Sequence, residues 1–211
     1  AADLLARLIE AVSEQQLDVF LSERIFKPLR MKDTGFYVPE EKLDRFAVVY
    51  GNGLRVTSAP QPGTSGPFSF KTTPKFLSGG GGLVSTATDY MRFCLMLSGR
   101  GEFDGVRLLK TETVEAMTRN QLPPGVGEIS YGPAGRGFGL GFAVRIRKLD
   151  SEPSSIGEYE WLGGAGTEFW LSPREDLVVI TLSQQMPMRQ LGQAIKPIVY
   201  GAVVKSDRKQ R

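Results

Sequence analysis

Residues 167–171 and 177–182 are two runs of strand-forming side chains separated only by Ser172-Pro173-Arg174-Glu175-Asp176. A connection that short cannot make the crossover a parallel pair needs, so the two runs must form an antiparallel hairpin. No other feature constrains the fold as strongly. Upstream, Phe138 to Arg147 sets Leu140, Phe142, Val144 and Ile146 at every second position, the period of a half-buried strand, and predicts a third strand. Downstream, Leu191, Ala194, Ile195, Ile198, Val199 and Ala202 form a helical stripe interrupted by Pro197, which predicts a kinked closing helix packed on a face of the sheet.

The remainder of the chain, residues 1–135, reads as mainly helical and loop. Leu4, Leu5, Leu8, Ile9 and Val12 recur at helical spacing from the first residues, without a cap, so this helix is expected to begin upstream. A second helix runs through Leu17, Phe20, Leu21 and Ile25 and stops near Pro28; a turn with Gly35 follows. Tyr50 to Lys75, rich in Gly, Pro, Ser and Thr, reads as a long excursion, either a substrate-covering loop or a solvated one. Gly79 to Gly82 then lead to Thr86 and Asp89 at capping-box spacing, with Tyr90, Phe93, Cys94 and Leu97 in helical register behind them. The glycines lack the Lys-Ser/Thr ending of a phosphate loop and are expected to let backbone pass close to a neighbour. A short helix is expected from Thr111 to Arg119. The whole is one α+β unit, residues 136–211 supplying the sheet strands and closing helix. Three strands and one helix leave the far face of the sheet without a partner, so the fold is expected to be incomplete.

Composition removes several functions. None of the 211 residues is histidine, so neither a Ser-His-Asp nor a Cys-His arrangement can be built, and histidine-containing zinc sites go with them. Cys94 is the lone cysteine and reads as a buried core thiol. The net charge of +3 comes partly from Lys205, Arg208, Lys209 and Arg211 in the tail, and no basic stripe or recognition motif suggests nucleic acid. No apolar run approaches the roughly 20 residues that span a bilayer. No metal site and no cofactor is called for.

Three segments in order carry a family resemblance. Ile25-Phe26-Lys27-Pro28-Leu29-Arg30-Met31-Lys32-Asp33-Thr34-Gly35-Phe36, then Gly80-Gly81-Gly82-Leu83-Val84-Ser85-Thr86-Ala87-Thr88-Asp89, then Trp161-Leu162-Gly163-Gly164-Ala165-Gly166-Thr167 resemble the signatures of the class C β-lactamase, DD-peptidase and carboxylesterase superfamily. The resemblance implies a β-lactamase/transpeptidase-like fold, an antiparallel sheet flanked by helices with the site in a cleft, here incomplete at its amino-terminal side. It also implies an acyl-enzyme mechanism: a serine in Ser-x-x-Lys and a tyrosine acting with that lysine as base, a scheme that needs no histidine. Both motifs would precede Ala1, so no catalytic residue is assigned in this chain and the chain alone is expected to be inactive. Ser206 with Lys209, Tyr50 with Asn52, and Lys110-Thr111-Glu112 imitate the motifs out of order or out of context.

At the strand motif the resemblance sets Leu162-Gly163-Gly164 where β-lactamases hold Lys-Thr-Gly. A lysine or threonine there would bind a substrate carboxylate by charge-assisted hydrogen bonds; leucine and glycine offer none. The backbone N–H of Ala165 would supply one oxyanion-hole donor, while the alternative for Gly163, Gly164 and Gly166 is close strand packing. The expected function is therefore the carboxy-terminal part of an esterase-like serine hydrolase acting on a neutral small-molecule ester or amide, completed by an amino-terminal part of the same protein. Two alternatives stand beside it. One is a non-catalytic cleft protein binding an acyl, peptidoglycan-like or protein ligand; the other is a β-lactamase or DD-peptidase.

Overall fold

The computed structural model of the chain describes residues 1–51, 70–130, 134–186 and 191–203. The expected loop at 50–75 lies mostly outside them, as does the Ser206–Lys209 lookalike. In chain order the elements are helices α1 (Ala2–Ser13) and α2 (Leu17–Leu21), a wide turn at Ser22–Phe26, a 3₁₀ turn at Glu40–Arg45 and α3 (Ala87–Ser98). A two-strand ribbon, β1 (Glu102–Phe103) and β2 (Val106–Arg107), precedes α4 (Thr111–Met117). The sheet strands are β3 (Arg136–Phe138), β4 (Ala143–Arg145), β5 (Tyr159–Leu162), β6 (Thr167–Ser172) and β7 (Leu177–Leu182), and α5 (Leu191–Ala202) closes the chain.

The five strands form one antiparallel sheet in sequential order, β3-β4-β5-β6-β7. The β6–β7 hairpin is as its short connection requires, Thr167 opposite Leu182 and Ser172 opposite Leu177. The single strand expected over Phe138 to Arg147 is instead two strands folded back on each other, with Phe138 opposite Ala143. Gly141 takes φ of 98°, a conformation that glycine adopts without a Cβ penalty, and Leu140 is 55% exposed at the tip. Gly139 is also required: a Cβ there would lie 2.0 Å from the Met117 carbonyl oxygen.

The last turn of the second helix widens after α2. Lys27 N–H donates to Ser22 and Met31 N–H to Phe26, each at 2.8 Å, bonds that skip one residue more than an α-helix does. Pro28 explains the widening, because it has no N–H and its ring would strike the carbonyl four residues back.

One face of the sheet carries the main core. Val144, Tyr159, Phe169 and Leu171 point there and meet Cys94, Met96 and Leu97 of α3 with Phe26, Leu29 and Met31. Phe169 stacks edge-on with Tyr90 of α3 at 5.1 Å between ring centres. Cys94 is fully buried, and burial pushes its thiol up to about 12, so it is a core thiol as expected.

The opposite face is not bare: α5 lies on it, correcting the expectation of an unpartnered face. It does so with its polar side. Gly192 and Lys196 are the buried residues of α5, while Leu191 and Ile198, at 72%, are exposed. An apolar stripe ordinarily marks the buried side of a helix; here Leu191, Ala194, Ile198 and Ala202 face out, and Ile195 and Val199 are half-buried. Lys196 instead meets carboxylates of Glu152 at 3.0 Å, Glu158, and Glu160 at 3.3 Å. Arg136 and Arg145 join the cluster through Glu152 and Glu160, and Tyr200 donates its hydroxyl proton to Glu158. The outer side of α1 is uncovered in the same way, with Leu4, Leu5, Leu8 and Val12 exposed while Ala6 is buried with Leu17 and Phe36.

Candidate functional site

A cleft of about 1420 Å³ runs between the sheet and the helical part, bordered by Met31, Phe36, Leu83, Tyr90, Trp161 and Ala165 among others. All three sequence segments that carried the resemblance reach it.

The first two segments are joined by a set of short contacts. Gly35 and Val84 exchange backbone hydrogen bonds at 3.1 and 2.8 Å. Thr86 caps α3, its hydroxyl accepting the Asp89 N–H at 3.2 Å, as the capping-box spacing requires. The Asp89 carboxylate does not reciprocate toward Thr86; buried, it accepts from Asp33 N–H at 2.6 Å and from the Thr34 hydroxyl at 3.0 Å. Thr34 Oγ1 also lies 2.8 Å from Ser85 Oγ. Sequence reading quoted all of these residues but gave Thr34 and Ser85 no role, since nothing local connects positions so far apart. At the cleft rim Lys42 and Arg45 both hold Asp33, at 2.7 and 3.0 Å, and their hydrogen bonds keep its carboxyl below the usual range.

The expectation of close backbone approach holds for the two ends of the glycine run, while Gly80 and Gly81 have room for a side chain. A Cβ on Gly79 would lie 2.7 Å from the Ala2 carbonyl oxygen, and one on Gly82 2.6 Å from that of Ser78.

The third segment forms the end of β5, the turn after it and the start of β6. Trp161 and Leu162 close β5, and the turn runs from Gly163, whose N–H donates to Thr167 at 2.7 Å, to Gly166, whose N–H returns to Gly163 at 3.0 Å. Gly166 has φ of 87°. Gly163 has no room for a Cβ, which would stand 2.3 Å from Thr167 Oγ1, so tight packing is part of its reason for being glycine. The β4–β5 register runs to Ala143 opposite Glu160, and the chain from Trp161 to Ala165 continues along the cleft. Ala165 is buried, and its carbonyl accepts from Gln185.

Alternation divides the motif between the two faces of the sheet. Trp161 stands opposite Phe169 on the core side, packed edge-on against Phe138 at 5.4 Å, and remains 36% exposed. Leu162 stands opposite Glu168 on the α5 side. Burial pushes the Glu168 carboxyl upward, against a hydrogen bond from the Gly192 N–H at the start of α5. A Cβ on Gly192 would fall 2.1 Å from that carboxylate.

The other sequence lookalikes take structural positions. Lys110 caps the start of α4, and Tyr50 bridges Gln185 through its backbone; Asn52 is outside the described residues. Glu152, Glu158 and Glu160 bring carboxylate oxygens within 4.8 Å of one another, a spacing suited to a metal. The Lys196 ammonium contacts all three, so the cluster carries its own cation. Burial would lower Lys196, but Glu160, Glu158 and Glu152 outweigh it and raise its pKa.

A sheet with helices on both faces, opening on a cleft beside a glycine-rich strand end, defines a β-lactamase-like architecture of the serine hydrolases. The family model for beta-lactamase matches residues 1–199, and the chain belongs to that family. Protein Rv1367c of Mycobacterium tuberculosis is 35% identical over 195 residues, which cover 89% of this chain and 48% of that protein. Among solved structures, EstCE1, "a hydrolase with promiscuous acyltransferase activity", superposes with a TM-score of 0.77 at 23% identity, over 95% of this chain and 55% of that one. Simvastatin synthase (LovD) from Aspergillus terreus gives 0.74 at 22% identity, over 97% and 54%. A penicillin-binding protein homologue from Pyrococcus abyssi gives 0.66 at 20%, over 93% and 40%. At these identities the structures establish the fold, and the chain spans about half the length of the curated relative it matches.

Proposed function

We propose that this chain is the carboxy-terminal part of a serine hydrolase that works through an acyl-enzyme on a neutral ester or amide. In this reading the chain supplies one wall of the cleft, and the serine, lysine and tyrosine come from a segment preceding Ala1. The observation that carries it is that the glycine-rich segment Trp161 to Ala165 lines the cleft and carries no cationic side chain. The Ala165 N–H serves as an oxyanion donor, and loss of one such donor typically costs about 3 kcal/mol of transition-state stabilisation. The outward apolar stripes of α1 and α5 support a further part of the fold lying against them.

The test is made on the intact protein, by comparing kcat/KM for a neutral acyl ester and a chromogenic cephalosporin, the ratio that reports differential transition-state binding. The neutral ester should be preferred. Leu162→Lys should move the preference toward the cephalosporin by about ten- to a hundredfold, the value of a charge-assisted hydrogen bond of roughly 1.5–3 kcal/mol. A native preference for the β-lactam would overturn the substrate reading. Hydrolysis of neither, with serine and lysine present, would favour a cleft protein that only binds its ligand.

A further inference from the structure

The loop entering α3 carries a chain of hydrogen bonds whose direction is set by proton count. Its inner end is the Asp89 carboxylate, 5% exposed, which accepts the Thr34 hydroxyl proton at 3.0 Å. A threonine hydroxyl has one proton to give. With that proton committed to Asp89, Thr34 Oγ1 can only accept from Ser85 Oγ, 2.8 Å away. The other acceptor within reach of Ser85, the Thr86 carbonyl, is 3.4 Å off and makes the poorer bond. Ser85 therefore spends its single proton inward and turns lone pairs outward. It is exposed, and it borders the cleft.

The backbone on either side is fixed. Val84 is paired with Gly35, and Thr86 is the cap of α3. An ordinary surface serine rotates to donate or accept as its partner demands; this one is held as an acceptor.

We propose that Ser85 is a hydrogen-bond acceptor subsite of the cleft, selecting substrates that carry an N–H or O–H group near the reacting ester. The proposal rests on the hydrolase reading above and adds a feature of the substrate to it. An N-acylamino ester fits; the same ester with CH₂ in place of N–H gains nothing from this side chain.

Two 4-nitrophenyl esters separate these cases in the intact enzyme: that of N-acetylglycine, which has the N–H, and that of 4-oxopentanoic acid, its CH₂ isostere. Ser85→Ala should lower the ratio of their kcat/KM values by about two- to tenfold, the range of one net neutral hydrogen bond. Thr34→Val leaves Ser85 in place but removes its internal acceptor, frees its proton, and should lower the same ratio. A purely structural role would reduce both substrates alike, and an unchanged ratio in both variants overturns the proposal. Binding to the intact protein supplies a second reading that needs no catalysis. In an NMR titration, N-acetylglycine methyl ester should shift the Ser85 and Thr86 amide signals and methyl 4-oxopentanoate should not; equal shifts, or none with either, overturn it. Absence of ester hydrolysis in the intact protein refutes the hydrolase reading and leaves the titration to decide on Ser85.

Discussion

Replacing Lys196 by Met tests what holds α5 on the sheet. The change keeps the apolar stem and removes the charge, so packing volume is nearly conserved. The ammonium is buried and contacts Glu152 at 3.0 Å, Glu158, and Glu160 at 3.3 Å, while its side chain lies 5.2 Å from the centre of the Trp170 ring. Without it, Arg136 and Arg145 face three carboxylates, and Glu158, the most buried of them, keeps the Tyr200 hydroxyl among the described residues. Breaking a buried pair on one side costs about 3–5 kcal/mol. At an effective dielectric of about 20, a single contact at about 3 Å is worth roughly 5.5 kcal/mol before desolvation, so the two figures agree in scale. With a urea slope of about 2–3 kcal/mol per molar, the midpoint followed by far-ultraviolet circular dichroism should fall by about 1–2 M. Adding Glu158→Gln should recover part of the loss, since the double variant removes the orphaned charge as well. A loss below about 1 kcal/mol for Lys196→Met, or no recovery in the double variant, would refute the assignment of this cluster as the tie between α5 and the sheet.

Three further outcomes are expected. Burial alone would raise the Glu152 carboxyl, but Lys196, Arg145 and Arg136 outweigh it and hold its pKa near about 2; stability from this group is complete above its ordinary value of about 4.3 and is lost as pH falls toward 2, which urea midpoints at pH 7, 4, 3 and 2 will register as a steady decline. The chain by itself should give only background rates with a chromogenic short-chain ester and a chromogenic cephalosporin, and turnover abolished by one point mutation within it would contradict the placing of the nucleophile elsewhere. The uncovered stripes on α1 and α5 should make the isolated chain associate or bind a hydrophobic dye, with Leu8→Glu and Ile198→Glu together reducing the signal; a monodisperse monomer without dye binding would count against an exposed interface.

The parts of this fold that sequence disclosed are those whose signal is local. The cap and periodicity of α3 lie within a dozen residues, and the β6–β7 connection allows one pairing only. The failure at Phe138 to Phe142 has a specific cause: Phe138, Leu140 and Phe142 alternate with glycines, so the period of two runs unbroken through a turn. Only the positive φ at Gly141 and the outward Leu140 distinguish turn from strand. β5 was legible through the resemblance and not through its pattern, because Glu160 on its α5 side answers a lysine 36 residues away. The orientation of α5 inverted for the same reason. Its aliphatic stripe suggested an inward face, and no local pattern reveals that Lys196 has three carboxylates waiting for it. The resemblance points to the Trp161–Thr167 segment, which borders the cleft, whereas the Thr34–Ser85 contact joins positions 51 residues apart and has no sequence signature.

The charged seam under α5 also sets an order for synthesis. Arg136, Arg145, Glu152, Glu158 and Glu160 all precede Lys196 in the sequence, the nearest of them by 36 residues, and so are synthesised first. Until Lys196 arrives, Arg136 and Arg145 match two of the three carboxylates and one negative charge is left over, and a charged face of this kind opposes strand-to-strand association between chains, the failure that threatens exposed sheets during folding. α5 then docks by supplying the missing cation, so the seam guards the unfinished sheet first and fastens it afterward.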